Sequence, residues 1–299
     1  MGKVLITGIT GYIGSRLARK LCLENEVYGL VRQPLNTTYL SEDLRRRIRL
    51  IPYCGTGESI AAALERVQPG MVYHLAAHYT NGHSFEDAGR LLESNLAYGV
   101  NLLEAMDQTG CRRLVYATTI TTHAAGVEFQ PLTLYAAMKQ AFSDLTAYYT
   151  GRDRLHAAAV ALADTYGPGD RRPKVLNLVR QAILEGTSLD LTSGRQIYDA
   201  VYIGDVVKGF IKAAEALDDA PHSYFQLSSR EPLSLRETVE RLLALNGLTL
   251  RANWGGRPRT DALTAEKLEL YPAPPGWRQE VPLEEGLRRF WADAPRFAQ

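Results

Sequence analysis

Short apolar runs alternate with longer amphipathic stretches through the first half of the chain. Lys3 to Thr7 reads as a strand. Tyr12 to Glu24 follows with Ile13, Leu17 and Leu21 at helical spacing. Val27 to Arg32 is a second strand and Arg49 to Tyr53 a weaker third. Glu58 to Gln68 is a helix stopped by Pro69-Gly70. Met71 to Ala76 returns to a strand, and Phe85 to Thr109 is one long helix ended by Gly110. Arg113 to Thr118 is a strand, Leu134 to Gly151 a helix, His156 to Ala163 a strand. Strands and helices alternating at these lengths predict βαβ units and a parallel sheet covered on both faces. The rhythm changes near Tyr166-Gly167-Pro168-Gly169. A helix from Lys174 to Glu185 and shorter elements follow. The pattern predicts an α/β chain with two parts, residues 1–165 and a smaller mixed lobe over 166–299, with the chain free to re-enter the sheet.

Composition narrows the field. The chain has 299 residues, 45% hydrophobic and 22% charged, as globular proteins do. Lys and Arg number 34 against 33 Asp and Glu, so there is no basic surplus for nucleic acid. Cys22, Cys54 and Cys111 are far apart, which predicts neither disulfides nor a metal site, and inert or buried thiols. No apolar run reaches the roughly 18 residues of a membrane span. The N-terminal run Val4-Leu5-Ile6 is broken by Thr7-Gly8, unlike a signal peptide. The expectation is a soluble, cytoplasmic protein without membrane contact.

The first candidate chemistry is Thr7-Gly8-Ile9-Thr10-Gly11-Tyr12-Ile13-Gly14, which follows the first strand and opens the first helix. Gly8 permits a tight turn. Gly11 removes a side chain where a pyrophosphate approaches the backbone, and Gly14 lets helix and strand pack closely. The helix N-terminus offers free N–H groups to phosphates. This is the dinucleotide turn of a Rossmann-like, doubly wound fold. The second strand ends at Val31-Arg32-Gln33, with no carboxylate for a ribose 2′-hydroxyl. Arg32 suits a 2′-phosphate, which favours NADP(H) and leaves NAD(H) possible. Arg16, one turn into the helix, is a weaker phosphate candidate.

A second signal is Tyr135-Ala136-Ala137-Met138-Lys139, which sets a phenol and an ammonium on one helical face. A nearby cation favours a phenolate, and a positively charged nicotinamide ring adds to it. Such a phenol can exchange a proton with a substrate alcohol or ketone. Thr118-Thr119 ends the preceding strand, where a parallel sheet faces its ligand crevice.

With these residues in view, the chain resembles the extended short-chain dehydrogenase/reductases that act on nucleotide sugars. Further matches are His74-Leu75-Ala76-Ala77, Asn95, the Tyr-Gly-Pro-Gly segment and Asp199 to Asp205. The resemblance implies a dinucleotide domain and a C-terminal lobe for a nucleoside diphosphate sugar. It implies Tyr135 as acid/base, Lys139 as its activator and ribose ligand, and Thr119 as the hydroxyl partner of the substrate. It implies cofactor contacts at Gly8, Thr10, Gly11, Tyr12, Ile13, Gly14, Arg32, Leu75, Ala76, Ala77, Asn95, Tyr135 and Lys139. A homodimer through the Phe85 to Thr109 and Leu134 to Gly151 helices is a further family expectation.

The resemblance is strongest to 4-ketoreductases of deoxysugar pathways, the CDP-paratose and abequose synthases. Thr119 is followed by Ile120-Thr121 in place of the Asp-Glu of a 4,6-dehydratase. Arg32 leans toward an NADPH-dependent reductase over an NAD-holding 4-epimerase. A non-catalytic dinucleotide sensor would not need Tyr135, Lys139 and Thr119 together. Departures stand on the substrate side. Tyr198-Asp199-Ala200 replaces the Arg-Asp-Phe that holds a diphosphate, which leaves Arg195 or Arg257 to substitute. Asp164 stands where an Asn contacts substrate, and a carboxylate there would repel a diphosphate. Tyr53-Cys54-Gly55 stands where an Asp-Leu or Asp-Ile reads adenine. His78, with Tyr79, Asn81 and His83 in its loop, and Lys174 are candidate substrate contacts. His74 inside its strand is a packing residue.

Overall fold

In the computed structural model, β1 (Lys3–Thr7) buries all but its first residue. The structure describes residues 2–80, 83–123, 129–218, 220–229, 233–257 and 270–293. The chain continues through α1 (Tyr12–Leu21), β2 (Glu26–Val31), α2 (Glu42–Arg47), β3 (Ile48–Pro52), α3 (Gly57–Val67) and β4 (Met71–His74). Next come α4 (Phe85–Leu92), a π turn (Glu93–Ala97), α5 (Tyr98–Thr109), β5 (Arg113–Thr119), α6 (Leu134–Thr150) and β6 (His156–Leu162). Then follow β7 (Asp164–Tyr166), α7 (Val175–Glu185), β8 (Ser188–Leu191), β9 (Ile197–Tyr198), β10 (Ala200–Tyr202) and α8 (Ile203–Glu215). The chain closes with β11 (His222–Leu227), β12 (Leu233–Ser234), α9 (Leu235–Asn246), β13 (Arg251–Trp254) and α10 (Leu283–Ala292).

Seven strands form one sheet in the order β11-β6-β5-β4-β1-β2-β3, and every pairing is parallel. This is the expected doubly wound, Rossmann-like α/β fold. The small side chains of β6 (HAAAVAL) are buried on both faces, as a parallel strand under two helical layers requires. One apolar layer joins the sheet to α1 and α8; the other joins it to α3, α5 and α6. A third core, built on Val179, Tyr198, Leu235, Val239, Leu287 and Phe290, holds the helices α7, α9 and α10 of the smaller lobe. The chain does re-enter the main sheet, at β11, so residues past 166 contribute to both parts.

The helix expected from Phe85 to Thr109 is interrupted. Residues Glu93–Ala97 form a π turn between α4 and α5. Apolar periodicity continues on both sides of it, so spacing alone gives no sign of one extra residue in a turn.

The order of strands reverses beside β1, which has β4 on one side and β2 on the other. Ligand crevices form at such a switch. Here Gly8 adopts φ +71°, and a Cβ on it would sit 2.5 Å from the Ala76 nitrogen. A Cβ on Gly14 would sit 2.2 Å from the Gly8 carbonyl oxygen. The N-terminus of α1 therefore rests directly on the backbone of the turn. Gly14→Ala should cost about 2 kcal/mol, because backbone atoms cannot yield as side chains do. Gly89→Ala, where nothing lies within 4 Å in the middle of α4, should stabilise by about 0.5 kcal/mol. Urea unfolding midpoints check both; an unchanged midpoint for Gly14→Ala would contradict the packing described.

Candidate active site

Two cavities flank the switch point. The first, about 410 Å³, is lined by Arg32, Tyr53, Cys54, Gly55, Ala76, Ala77, Glu93, Tyr98 and Asn101 among others. The second, about 370 Å³, is lined by Gly8, Gly11, Tyr12, Ile13, Gly14, Leu75, Ala77, Thr119, Tyr135 and Lys139, with Tyr79, Arg172 and Lys174 opposite. Ala77 belongs to both walls. A dinucleotide needs a glycine cradle between two such pockets, and these residues fit one. The free N–H groups of α1 open onto the cradle.

Helix α6 delivers the central pair. Thr133 caps it, its hydroxyl accepting from the Ala136 N–H at 3.1 Å. Tyr135 and Lys139 then lie one turn apart, both on the cavity wall. Lys139 is 2% exposed, and burial pulls its ammonium down to about 8. Its Nζ stands 5.8 Å from the centre of the Tyr135 ring. The Tyr135 phenol is pushed up, by burial first and by neighbouring Tyr79 second, with Arg172 acting weakly the other way. Desolvation sets the direction for this phenol. Thr119 ends β5 beside them, its hydroxyl 2.9 Å from that of Thr121 and accepting from the Thr121 N–H.

The other expected residues divide. Arg32 is exposed at the end of β2, at the mouth of the first cavity. Thr10 is half-buried and borders neither cavity. The Asn95 side chain is 1% exposed and grips the main chain of His78: its Oδ1 accepts from the His78 N–H at 3.2 Å and its Nδ2 donates to the His78 carbonyl at 2.9 Å. Asn95 thus holds the segment after β4, and neither it nor His78 lines either of these two cavities. Arg195 and Arg257 are exposed and away from both. Arg16 donates to the Pro168 carbonyl at 3.0 Å, which ties α1 to the Tyr-Gly-Pro-Gly segment. His74 is buried in β4, its Nδ1 2.7 Å from the Thr7 hydroxyl, and burial with Lys139 pushes it down to about 3. Asn81 lies outside the described residues.

Residues 4–225 match the NAD dependent epimerase/dehydratase family. The chain belongs to this family. A probable UDP-glucuronate 4-epimerase of Rhizobium meliloti (strain 1021) is 26% identical, covering 97% of both chains. CDP-abequose synthase of Yersinia pseudotuberculosis is 25% identical over 88% of this chain and 91% of its own. Among solved structures, MoeE5 in complex with UDP-glucuronic acid and NAD superposes with a TM-score of 0.83 at 25% identity, covering all of both chains. UDP-glucuronic acid 4-epimerase from Bacillus cereus shares the fold, with a TM-score of 0.86 at 20% identity and 99% of each chain covered.

In this epimerase/dehydratase family member, the second cavity sets Arg172, which the sequence did not single out, beside the expected Lys174 and Tyr79. The Arg172 guanidinium makes two hydrogen bonds to Asp170, at 2.8 and 2.7 Å, and a third to the Thr165 carbonyl. Burial lowers the guanidinium, and Asp170 more than offsets it. Asp164 does not stand as a bare repulsive carboxylate: Lys174 Nζ lies 3.3 Å from its Oδ1. Burial works against the Lys174 ammonium, and Asp164 reverses the shift upward. Tyr79 bridges Lys174 and Tyr135, with Nζ 4.2 Å above its ring and its ring edge-on to Tyr135 at 5.1 Å. Only loop geometry brings these residues together. Cys111 is buried and pushed up to about 11 by burial. Cys54, expected to be buried or inert, is exposed on the first cavity with its thiol drawn down by hydrogen bonds from Ser59 and Thr56.

Among the described residues, no three His, Cys, Asp or Glu side chains gather as for a metal ion, and no helix is long and apolar enough to cross a membrane.

The buried Lys139 makes a stability prediction. Its folded pKa lies below its ordinary 10.5, so the folded state disfavours the proton. The cost is fully present below about pH 8 and fades as pH rises toward 10.5. Lys139→Met should stabilise the dinucleotide-free protein at pH 7 by about 2 kcal/mol, with the advantage shrinking in alkali. Unfolding curves across pH check it. A Lys139→Met protein no more stable than the parent at pH 7 would contradict it.

Proposed function

We propose that this chain reduces the 4-keto group of a nucleotide-linked deoxysugar with NADPH. The observation that carries the reading is one wall holding Tyr135, Lys139 and Thr119 beside the glycine cradle. When bound, the dinucleotide supplies the hydride. Tyr135 gives its phenolic proton to the oxygen that gains charge at C4. The Thr119 hydroxyl donates a hydrogen bond to the same oxygen, and Thr121 keeps that hydroxyl in place. Lys139, with its Nζ 5.8 Å from the centre of the Tyr135 ring, would hold the nicotinamide ribose. Arg172 and Lys174, each fixed by its own carboxylate, face the incoming nucleotide sugar.

Two alternatives are weaker on these observations. A 4,6-dehydratase needs a further acid and base, and among the described residues no Asp or Glu lines the second cavity. A non-catalytic sensor has no use for the three assembled hydroxyl and amine groups. An NAD-dependent 4-epimerase is the second reading, favoured by a named 4-epimerase among relatives that match over nearly their whole length. Arg32 favours the reductase. It stands at the first cavity at the end of β2, and no carboxylate occupies the strand end. The reading includes a cytoplasmic homodimer formed through α4, α5 and α6.

Titration of stripped protein with NADPH and NADH tests it. The expected preference for NADPH is about tenfold or more, near 1.4 kcal/mol, and Arg32→Ala should erase it. Tight NAD(H) binding with indifference to the 2′-phosphate would move the assignment to the 4-epimerase. Tyr135→Phe should lower kcat by about a thousandfold with dinucleotide affinity kept. A kcat within about threefold of the parent would remove Tyr135 from the acid role.

A further inference from the structure

The first cavity carries chemistry beyond Arg32. Its floor includes Tyr53, whose ring stacks on Tyr98 with centroids 5.0 Å apart and planes 27° from parallel. Tyr53 senses both ends of the cavity: burial pushes its phenol up, Arg32 pulls it down and Glu93 pushes it up. The helical side presents Glu93 and Asn101. In an unbroken α-helix, residues eight apart lie about 80° apart around the axis. The π turn Glu93–Ala97 takes up one extra residue and brings Glu93 round to the face that carries Asn101. Among the described residues neither side chain is engaged in a hydrogen bond.

A flat aromatic wall, an anionic acceptor and an amide suit one kind of group. An adenine has a flat face, an exocyclic amine that only donates and ring nitrogens that accept. A carboxylate only accepts, and an asparagine amide does either. We propose that the base of the dinucleotide is read from the π-turn side of the cavity. Glu93 accepts from the adenine amino group, Asn101 pairs with a ring nitrogen, and Tyr53 supports the face. The carboxylate that this family carries after the third strand is thereby replaced from the opposite wall. The proposal rests on the dinucleotide reading above.

The test uses the full chain, NADPH and its hypoxanthine analogue, in which a carbonyl replaces the amino group and the adjacent ring nitrogen carries a hydrogen. The parent should bind NADPH about tenfold more tightly, since the carbonyl faces a carboxylate. Glu93→Gln should narrow the ratio to about twofold by binding the analogue more tightly, because a glutamine amide can donate to that carbonyl. A structural defect would not raise an affinity. Asn101→Ala should weaken both dinucleotides severalfold and keep the ratio. Equal binding of both by the parent, or an unchanged ratio in Glu93→Gln, overturns the base assignment and leaves the cofactor reading standing. Failure to bind either dinucleotide removes the cofactor reading, and the proposal with it.

Discussion

The N-terminus of α1 reaches the ends of β1 and β4 only because residues 8 and 14 have no side chain. A methyl group on Gly14 would lie 2.2 Å from the Gly8 carbonyl, and one on Gly8 would meet the backbone of Leu75 and Ala76. With the helix seated there, its free N–H groups open between two cavities that share Ala77. Everything else in the candidate site is referred to that contact. The segment after β4 lies directly against the cradle at Gly8, and Asn95 holds it by both polar groups of the His78 backbone. The Tyr-Gly-Pro-Gly segment is anchored on α1 by Arg16 and Tyr12 through the Pro168 carbonyl.

The second constraint is electrostatic. Three cationic side chains border the second cavity, and they are handled in two ways. Arg172 and Lys174 each have a carboxylate, Asp170 and Asp164, which keeps them charged despite burial. Lys139 has none among the described residues, and burial draws it toward neutrality. A buried cation with no partner destabilises a fold, and such groups cluster where chemistry needs them. The phenol beside it is likewise disfavoured as an anion. Both groups are thus poised to respond strongly to any charge brought into the cavity.

Much of this could be read along the chain. The alternation of apolar runs gave the parallel sheet, because strands buried on both faces leave little room for polar residues. The glycine turn and the Tyr135–Lys139 spacing pointed to the two halves of the site, because each motif is local and its geometry follows from one turn or one helix. What stayed hidden was long-range. Arg172 and Lys174 reach the cavity that holds Tyr135 through loops, and sequence spacing carries no record of that approach. Asp164 looked like an isolated negative charge because its partner lies ten residues on, across a loop. The π turn was invisible because one extra residue leaves the apolar pattern on either side intact. Cys54 looked inert because nothing local reveals that it borders a cavity.

The central claim is a hydride delivered to a sugar C4 and kept there. The most direct measurement follows the label. Protein, a nucleotide 4-keto-6-deoxysugar and NADPH deuterated at the transferable nicotinamide position are incubated, and the product is read by mass spectrometry and NMR. The account predicts one deuterium at C4 of the product for each NADPH consumed. Epimerised sugar without label and without net NADPH consumption would contradict it.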